Sequence, residues 1–335
     1  MKKTQMALAA VALVASTVAM AEVKVFGNLD GGYASGANSK FYGAGNNATT
    51  QFGISGSEDI GGGLKASFNL LSGINIAKGA MGDNGGGNTN LFNRGASVGV
   101  SNENVGITIG NQFSNAVLAA GFATGGNGVG GDGINVPAVV RLFGGSAGAV
   151  TQGGTATGFF IPQALQVSAN VAGISSNLMY RMVDKSATDS SYMGLTASTS
   201  VSGINVAVGY QDAGYATASS NYKSYFIAAN TNFGDVRVNV AAADNSGANK
   251  SSTYSLGASM PLAAGISGGV SYANGTDTQG SQTGLALEYA LSKQSKVYAN
   301  YLTFSKAGGG AAIANDGNLT ITGKSLTTVG LSHAF

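Results

Sequence analysis

The stretch NFGDVRVNV, residues 232–240, decides the fold because apolar and polar side chains alternate along it one residue at a time. The valines at 236, 238 and 240 share one parity, and Asp235, Arg237 and Asn239 share the other. A period of two is typical of a β-strand with one apolar and one polar face. The residues at 232–234, with their glycine, indicate a short turn just before this strand.

The same alternation recurs along the whole chain, for example at 23–33, 205–211 and 284–289. From it we predict an all-β protein with sixteen strands. They lie near residues 23–34, 49–59, 64–72, 91–101, 105–112, 158–170, 174–184, 190–201, 204–212, 221–232, 235–243, 251–261, 266–273, 282–290, 296–304 and 319–335.

Two features favour a transmembrane barrel over a soluble sandwich. Short turns, as at 170–173 and 202–203, alternate with long polar connections, as at 34–48, 72–89 and 305–318. This asymmetry is typical of outer-membrane barrels. The polar strand positions hold mostly glycine, serine, threonine, asparagine and glutamine, which suits a wetted lumen better than a charged protein surface. We therefore expect an antiparallel transmembrane β-barrel with short turns on one side and long loops on the other.

Composition agrees with export and with a barrel. Of 335 residues 54 are glycine, more than twice the usual share of about 7%, which disfavours a fold built on long helices.

The N-terminal residues 1–21 have the pattern of a cleaved signal peptide: Lys2 and Lys3, then an apolar run at 6–18, then small residues at 19–21. The alternative is an N-terminal anchor, but the run is too short to span a bilayer. Residues 22–335 then form the barrel domain. Cleavage removes two of the 17 basic residues and leaves 15, which balance 15 acidic ones, so no basic surface for nucleic acid remains.

One connection is much longer than the others and covers residues 113–157. It carries two charges, Asp132 and Arg141, and an apolar patch at 134–143. The patch favours a loop that folds inward and packs on the barrel wall, and the alternative is a disordered glycine-rich loop.

The chain carries no convincing constellation for catalysis or for a cofactor. Two G-x-S-x-G matches, at 144–148 and 265–269, lack the strand-to-helix context of a nucleophile elbow. The single histidine, His333, is the only base candidate and lies two residues from the C-terminus. One histidine and no cysteine exclude the usual zinc sites. We expect no enzymatic activity, no cofactor and no metal.

Three motifs resemble those of a known family. They are GSEDIGGGLKASFNLLSG at 56–73, YALSKQSKVYANY at 289–301 and VGLSHAF at 329–335, and together they extend over nearly the whole barrel domain. They are similar to the general porins of Gram-negative bacteria, of the β-proteobacterial and neisserial type. The resemblance implies outer-membrane localisation and a homotrimer in which each barrel has its own water-filled pore, with the third long loop, 113–157, as a constriction. It also implies contact with outer-membrane lipid and lipopolysaccharide, and a terminal Phe335 recognised by the outer-membrane assembly machinery.

The expected function is passive diffusion of small hydrophilic solutes and ions. A substrate-specific porin is the first alternative, and an outer-membrane enzyme or an adhesive barrel are more remote. Parity places Asp30, Lys65, Arg181 and Arg237 on the lumen side. Asp132 and Arg141 belong to the constriction loop, and parity leaves the direction of Arg94 open. Because the loop holds one acid and one base, we expect the opposed charge clusters typical of the family to be absent and the preference for anions to be weak.

Overall fold

The computed structural model describes residues 22–37, 41–43, 45–82, 90–123, 151–152, 155–156, 159–183, 189–214, 222–247, 250–275, 280–306, 321 and 323–335. In this part of the chain sixteen long strands form one antiparallel sheet. They are β1 (Glu22–Ser35), β2 (Gln51–Gly61), β3 (Leu64–Asn75), β4 (Gly95–Ser101), β5 (Val105–Phe113), β6 (Phe160–Val171), β7 (Ile174–Arg181), β8 (Ser191–Val201), β9 (Ile204–Gly214), β10 (Tyr222–Phe233), β11 (Val236–Gly247), β12 (Ser251–Ala263), β13 (Ile266–Gly275), β14 (Gly280–Ala290), β15 (Ser295–Phe304) and β16 (Ser325–Ala334).

The sheet closes on itself, which confirms the predicted sixteen-stranded barrel. Each strand pairs with its neighbours in the chain, and β1 pairs with both β2 and β16. In the closing pair Asp30 lies opposite Ser332, and Leu29 lies opposite His333. Closure leaves no free sheet edge, and this is what allows strands to cross a lipid bilayer with their backbone groups satisfied.

The two faces of the barrel differ as the alternation predicts. Large apolar side chains at the middle of the strands point outward and are between 42% and 54% exposed, among them Val98, Ile107, Leu178, Leu195, Val208, Ile227, Val240, Leu256, Val270, Leu285, Val329 and Leu331. Such an apolar band is typical of the lipid-facing surface of a membrane barrel. The residues between them along each strand point inward and are largely polar, among them Gln166, Asn177, Thr196, Asn205, Asn230, Asn239, Ser255, Ser271, Asn300 and Thr328.

Tight turns join the strands at one end of the barrel, which we call the turn end. The β6–β7 turn consists of Ala172 and Gly173, and the β8–β9 turn of Ser202 and Gly203, all with positive φ between 51° and 81°. Two successive residues of positive φ match the twist of paired strands and make the shortest hairpin connection. The opposite end, the loop end, carries the long connections.

Shorter elements complete the described structure. Helix α1 (Asn115–Ala123) follows β5 and lies inside the barrel. Of four two-residue strands, Phe41–Tyr42 pairs with β1, Ala80–Met81 pairs with β3, and Thr151–Gln152 pairs with Thr155–Ala156. Within the described ranges no helix is long and apolar enough to cross a membrane.

Candidate pore and its constriction

Helix α1 begins the long connection at 113–157 and packs on the inner wall. It contacts β7 to β11, chiefly β8, β9 and β10. Ala116, Val117 and Ala120 are buried against inward side chains that include Met179 and Phe226. Small apolar residues let the helix backbone lie close to the wall, and burial of their apolar surface holds it there. The described part of this connection is therefore folded inward, as expected.

Polar groups fix the first turn of α1. The hydroxyl of Ser114 accepts a hydrogen bond from the backbone N–H of Val117 at 3.3 Å, which makes Ser114 the N-cap. The same hydroxyl lies 2.7 Å from the Tyr192 hydroxyl on β8. Asn115 donates to the carbonyl of Gly194 at 2.9 Å. A Cβ at position 194 would lie 2.1 Å from the Asn115 Oδ1 atom, so only glycine permits this approach.

A second segment, residues 45–50, also lies against the inner wall, on the other side of the barrel. The carboxylate of Asp30 on β1 accepts three successive backbone N–H groups, those of Asn46 at 3.1 Å, Asn47 at 3.1 Å and Ala48 at 2.8 Å. Successive N–H groups of this kind form a concave anion site. Thr50 adds a bond from its hydroxyl to the Asp30 carbonyl at 2.8 Å.

Side chains extend these contacts to further strands. Asn46 donates to the Thr328 hydroxyl on β16 at 2.7 Å, and Asn47 donates to Glu288 on β14 at 2.6 Å. Glu288 also forms an ion pair with Lys296 on β15, at 3.2 Å. Residues 45–50 thus reach across the inner faces of four neighbouring strands, β14, β15, β16 and β1.

Two tyrosines extend the hydrogen-bond network of the Asp30 carboxylate. Tyr298 on β15 donates its hydroxyl proton to Asp30 at 2.5 Å. Because that proton is then used, the Tyr42 hydroxyl must donate to Tyr298 across the 2.6 Å that separates them. Gly330 makes room for the pair, since a Cβ there would lie 2.5 Å from each hydroxyl oxygen.

Arg94 points inward although strand parity left its direction open. It precedes β4, so the alternation of that strand does not apply to it. Its Nε donates to Gln51 at 3.1 Å and its Nη2 to Thr49 at 3.4 Å. The guanidinium carbon lies 5.0 Å from the centre of the Phe160 ring, which is cation–π distance.

Arg181 also points inward but is completely buried. Its guanidinium forms an ion pair with Asp189 at 3.1 Å and donates to the carbonyls of Pro162 and Ser190. These contacts hold the loop end of β7 to the neighbouring strands. Asp30 is likewise fully buried, so two of the predicted lumen charges are covered by protein.

Lys65 and Arg237 lie on the inner face at the turn end. Lys65 is exposed and stands opposite Asp59 on β2 and Ser101 on β4. Arg237 is half-buried between Asn232 on β10 and Ser259 on β12. Among the described residues no carboxylate lies within ion-pair distance of Arg237, and its Nε has no hydrogen-bond acceptor. Asp132 and Arg141 lie outside the described residues, as does the signal peptide.

Sequence reasoning missed the residues that anchor 45–50. Glu288 has lumen parity in an alternating strand, so the pattern could have identified it. Tyr298 also has lumen parity, but nothing in the sequence links it to Asp30, which is 268 positions away.

The C-terminus joins the barrel through Phe335. Its backbone N–H and carbonyl both pair with Gly27 on β1 at 3.1 Å. Its ring covers Gly27, where a Cβ would lie 2.4 Å from the ring. The terminal residue therefore belongs to the β1–β16 closure.

A closed barrel with a lipid-facing outer band, a polar interior and inward-folded connections defines a transmembrane channel. The family model for Gram-negative porins matches residues 7–309. The chain therefore belongs to the Gram-negative porin family, and it is a diffusion porin of the outer membrane. Family and fold both point to a channel.

Solved structures share the fold at low sequence identity. An anion-selective porin from Comamonas acidovorans has a TM-score of 0.70 and 21% identity, over 94% of this chain and 100% of that chain. OmpF of Salmonella typhi in complex with daunomycin has a TM-score of 0.68 and 15% identity, over 94% and 98%. The trimer form of OmpT from Vibrio cholerae has a TM-score of 0.64 and 11% identity, over 94% and 99%. No curated protein matches the chain.

Proposed function

We propose that the protein passes small hydrophilic solutes non-specifically, with a weak preference for anions. The observation that carries the proposal is the inner wall, on which uncharged amide and hydroxyl side chains predominate. Such groups hydrate a passing solute without holding it, and this suits general diffusion better than recognition of one substrate.

The weak anion preference is supported by the state of the inward charges. Two inward carboxylates, Asp30 and Glu288, are each engaged by hydrogen bonds or by an ion pair. At the turn end Lys65 stands opposite the carboxylate of Asp59, whereas Arg237 has no described acidic partner, and Arg94 lies beside residues 45–50. The opposite charges of Asp132 and Arg141 on the constriction loop would nearly cancel. The similar porin from Comamonas acidovorans is named anion-selective, which agrees with this sign.

We extend the proposal to assembly and processing. Residues 1–21 act as a cleaved signal peptide, Phe335 is the signal read by the assembly machinery, and the outer band contacts lipid and lipopolysaccharide. The homotrimer is supported by the trimer form of the similar protein from Vibrio cholerae. Exposed apolar residues at the loop end, Ile76, Met81 and Leu91, offer contacts for a neighbouring barrel. No reaction and no cofactor belong to the proposed function.

Planar-bilayer recording of the purified protein tests these points together. We expect ohmic channels that close in three equal steps, and a reversal potential slightly on the anion side in a salt gradient. Saturation of the current by one particular solute would favour a substrate-specific porin. Single-step closures would contradict the trimer, and strong cation selectivity would contradict the proposed sign.

A further inference from the structure

We propose that residues 45–50, anchored by Asp30 and Tyr298, narrow the lumen opposite helix α1. They would form a second, fixed side of the pore constriction. The inference rests on the proposed diffusion function and adds a width-determining segment outside the long connection at 113–157.

Residues 45–50 and helix α1 lie on opposite sides of the ring of strands. In a closed ring of sixteen strands, each strand faces the one eight places away. The segment 45–50 bonds to side chains of β1, β14 and β16. Helix α1 contacts chiefly β8, β9 and β10. Because β8 faces β16 and β9 faces β1, the two inward elements face each other across the lumen.

Residues 45–50 are held rigidly against the wall. Asn46 and Asn47 are 1% and 2% exposed, and the carboxylate beneath them accepts four hydrogen bonds. Hydrogen bonds to a charged acceptor are about twice as strong as neutral ones. A segment held in this way is part of the wall and not a fluctuating loop.

Arg94 and two phenylalanines link residues 45–50 to helix α1. Arg94 contacts Thr49 on one side and the Phe160 ring on the other. Phe160 packs edge-to-face on Phe113 with 5.0 Å between ring centres, and α1 begins two residues later. One chain of contacts therefore connects the two inward elements along the wall.

Ala48 is the position from which the segment can be probed. Its backbone N–H binds Asp30, whereas the residue is partly exposed. The chain has no cysteine, so a single introduced thiol is the only target for a thiol reagent. We would prepare Ala48→Cys and, as a matched control, Val171→Cys, an outward-facing residue at the turn end that is 67% exposed. Both are labelled with a bulky sulfonate reagent, and complete labelling is verified by mass before reconstitution.

Labelling of Ala48→Cys should reduce single-channel conductance by roughly a third or more and shift the reversal potential toward cations, because bulk and negative charge enter the narrow section. A trimethylammonium label should reduce conductance similarly and shift the potential toward anions. Labelled Val171→Cys should conduct as before. Unchanged conductance and potential in fully labelled Ala48→Cys would overturn the inference. Absence of any conductance in the unlabelled native protein would instead overturn the diffusion function on which it rests.

The anchor is tested separately with Asn47→Cys, whose thiol lies in a buried position. Adding Asp30→Asn or Tyr298→Phe should raise the labelling rate about tenfold, because the segment then opens locally more often. Equal rates in the presence and absence of these changes would show that Asp30 and Tyr298 do not hold the segment. Tyr298→Phe retains the carboxylate, so the test stands even if Asp30→Asn does not fold.

Discussion

Residues 45–50 and helix α1 lie against opposite walls of the same barrel, but different forces hold them. The helix buries Ala116, Val117 and Ala120 in an apolar cluster. Residues 45–50 contain no large apolar side chain and are held by hydrogen bonds, of which three go to one carboxylate, that of Asp30. Apolar packing loses stability gradually as atoms are removed, whereas a hydrogen-bonded anchor fails when its central acceptor is lost. The two walls should therefore respond differently to small changes.

The largest effect is expected for Asp30→Ala. It leaves three backbone N–H groups, two of them buried, and the Tyr298 hydroxyl without their acceptor, a loss of about 4 kcal/mol. The temperature at which the barrel unfolds in SDS should fall by roughly 10 °C. Asp30→Asn should recover less than half of this, because an amide has a single acceptor oxygen and adds donors. Asp235→Ala, at an exposed turn, serves as the control, and an equal drop in both variants would remove the special role of Asp30.

A smaller effect is expected on the packed wall for Ala120→Leu. The residue is fully buried, and extra methylene groups there would push α1 into the lumen at a cost of about 1–3 kcal/mol. Conductance should fall together with the unfolding temperature. Leu118→Ala is the control on the same helix, since Leu118 is 55% exposed. If Ala120→Leu leaves both quantities unchanged, α1 is not held by close packing.

Tyrosine hydroxyls allow a matched comparison of the two anchors. Tyr298→Phe removes a donor to a carboxylate and should cost about 2 kcal/mol, whereas Tyr192→Phe removes bonds to neutral partners and should cost about 1 kcal/mol. Tyr225→Phe, on the exposed outer face, should have almost no effect. Unfolding temperatures in SDS give the order. The reverse order for Tyr298 and Tyr192 would mean that the charge of Asp30 adds nothing to its anchor.

The difference between strands and connections explains how much of the structure could be predicted from the sequence. Period two predicted the sixteen strands and the inward parity of Asp30, Arg181 and Arg237, because alternation follows from local geometry. It could not predict that Asp30 and Arg181 are buried, since their partners at 45–50 and at Asp189 come from connections without periodicity.

The structure also differs from the sequence-based prediction at the start of one strand and at a side chain outside the strands. The predicted strand at 91–101 begins at Gly95 in the structure, because residues 91–94 form a turn. Arg94 lies in that turn, and this is why parity gave no answer for it. The apolar patch at 134–143, which predicts inward folding of the long connection, lies outside the described residues, and the inward folding in the structure is that of α1. The polar segment 45–50 resembles any exposed loop in sequence, so its inward position could not be predicted.

The smallest effect is expected on ion selectivity. A comparison of Arg237 with Arg181 distinguishes an inward charge that reaches the lumen from one that is covered by protein. Arg237→Ser removes a half-buried positive charge without a described acidic partner, so anions lose local attraction and the reversal potential should move toward cations. The shift should be a few millivolts in about 0.1 M salt, where charges act over about 10 Å, and nearly absent in about 1 M salt, where they act over about 3 Å. Arg237→Lys keeps the charge and should keep the reversal potential.

Arg181→Ser should leave the reversal potential nearly unchanged and lower the unfolding temperature instead, because it leaves Asp189 without its ion pair and two carbonyls without donors. Reversal potentials and SDS unfolding temperatures measured on all three variants decide the matter. A potential that moves equally for Arg181→Ser and Arg237→Ser would mean that both charges act on passing ions, and a potential unaffected by Arg237→Ser would place the ion path away from β11.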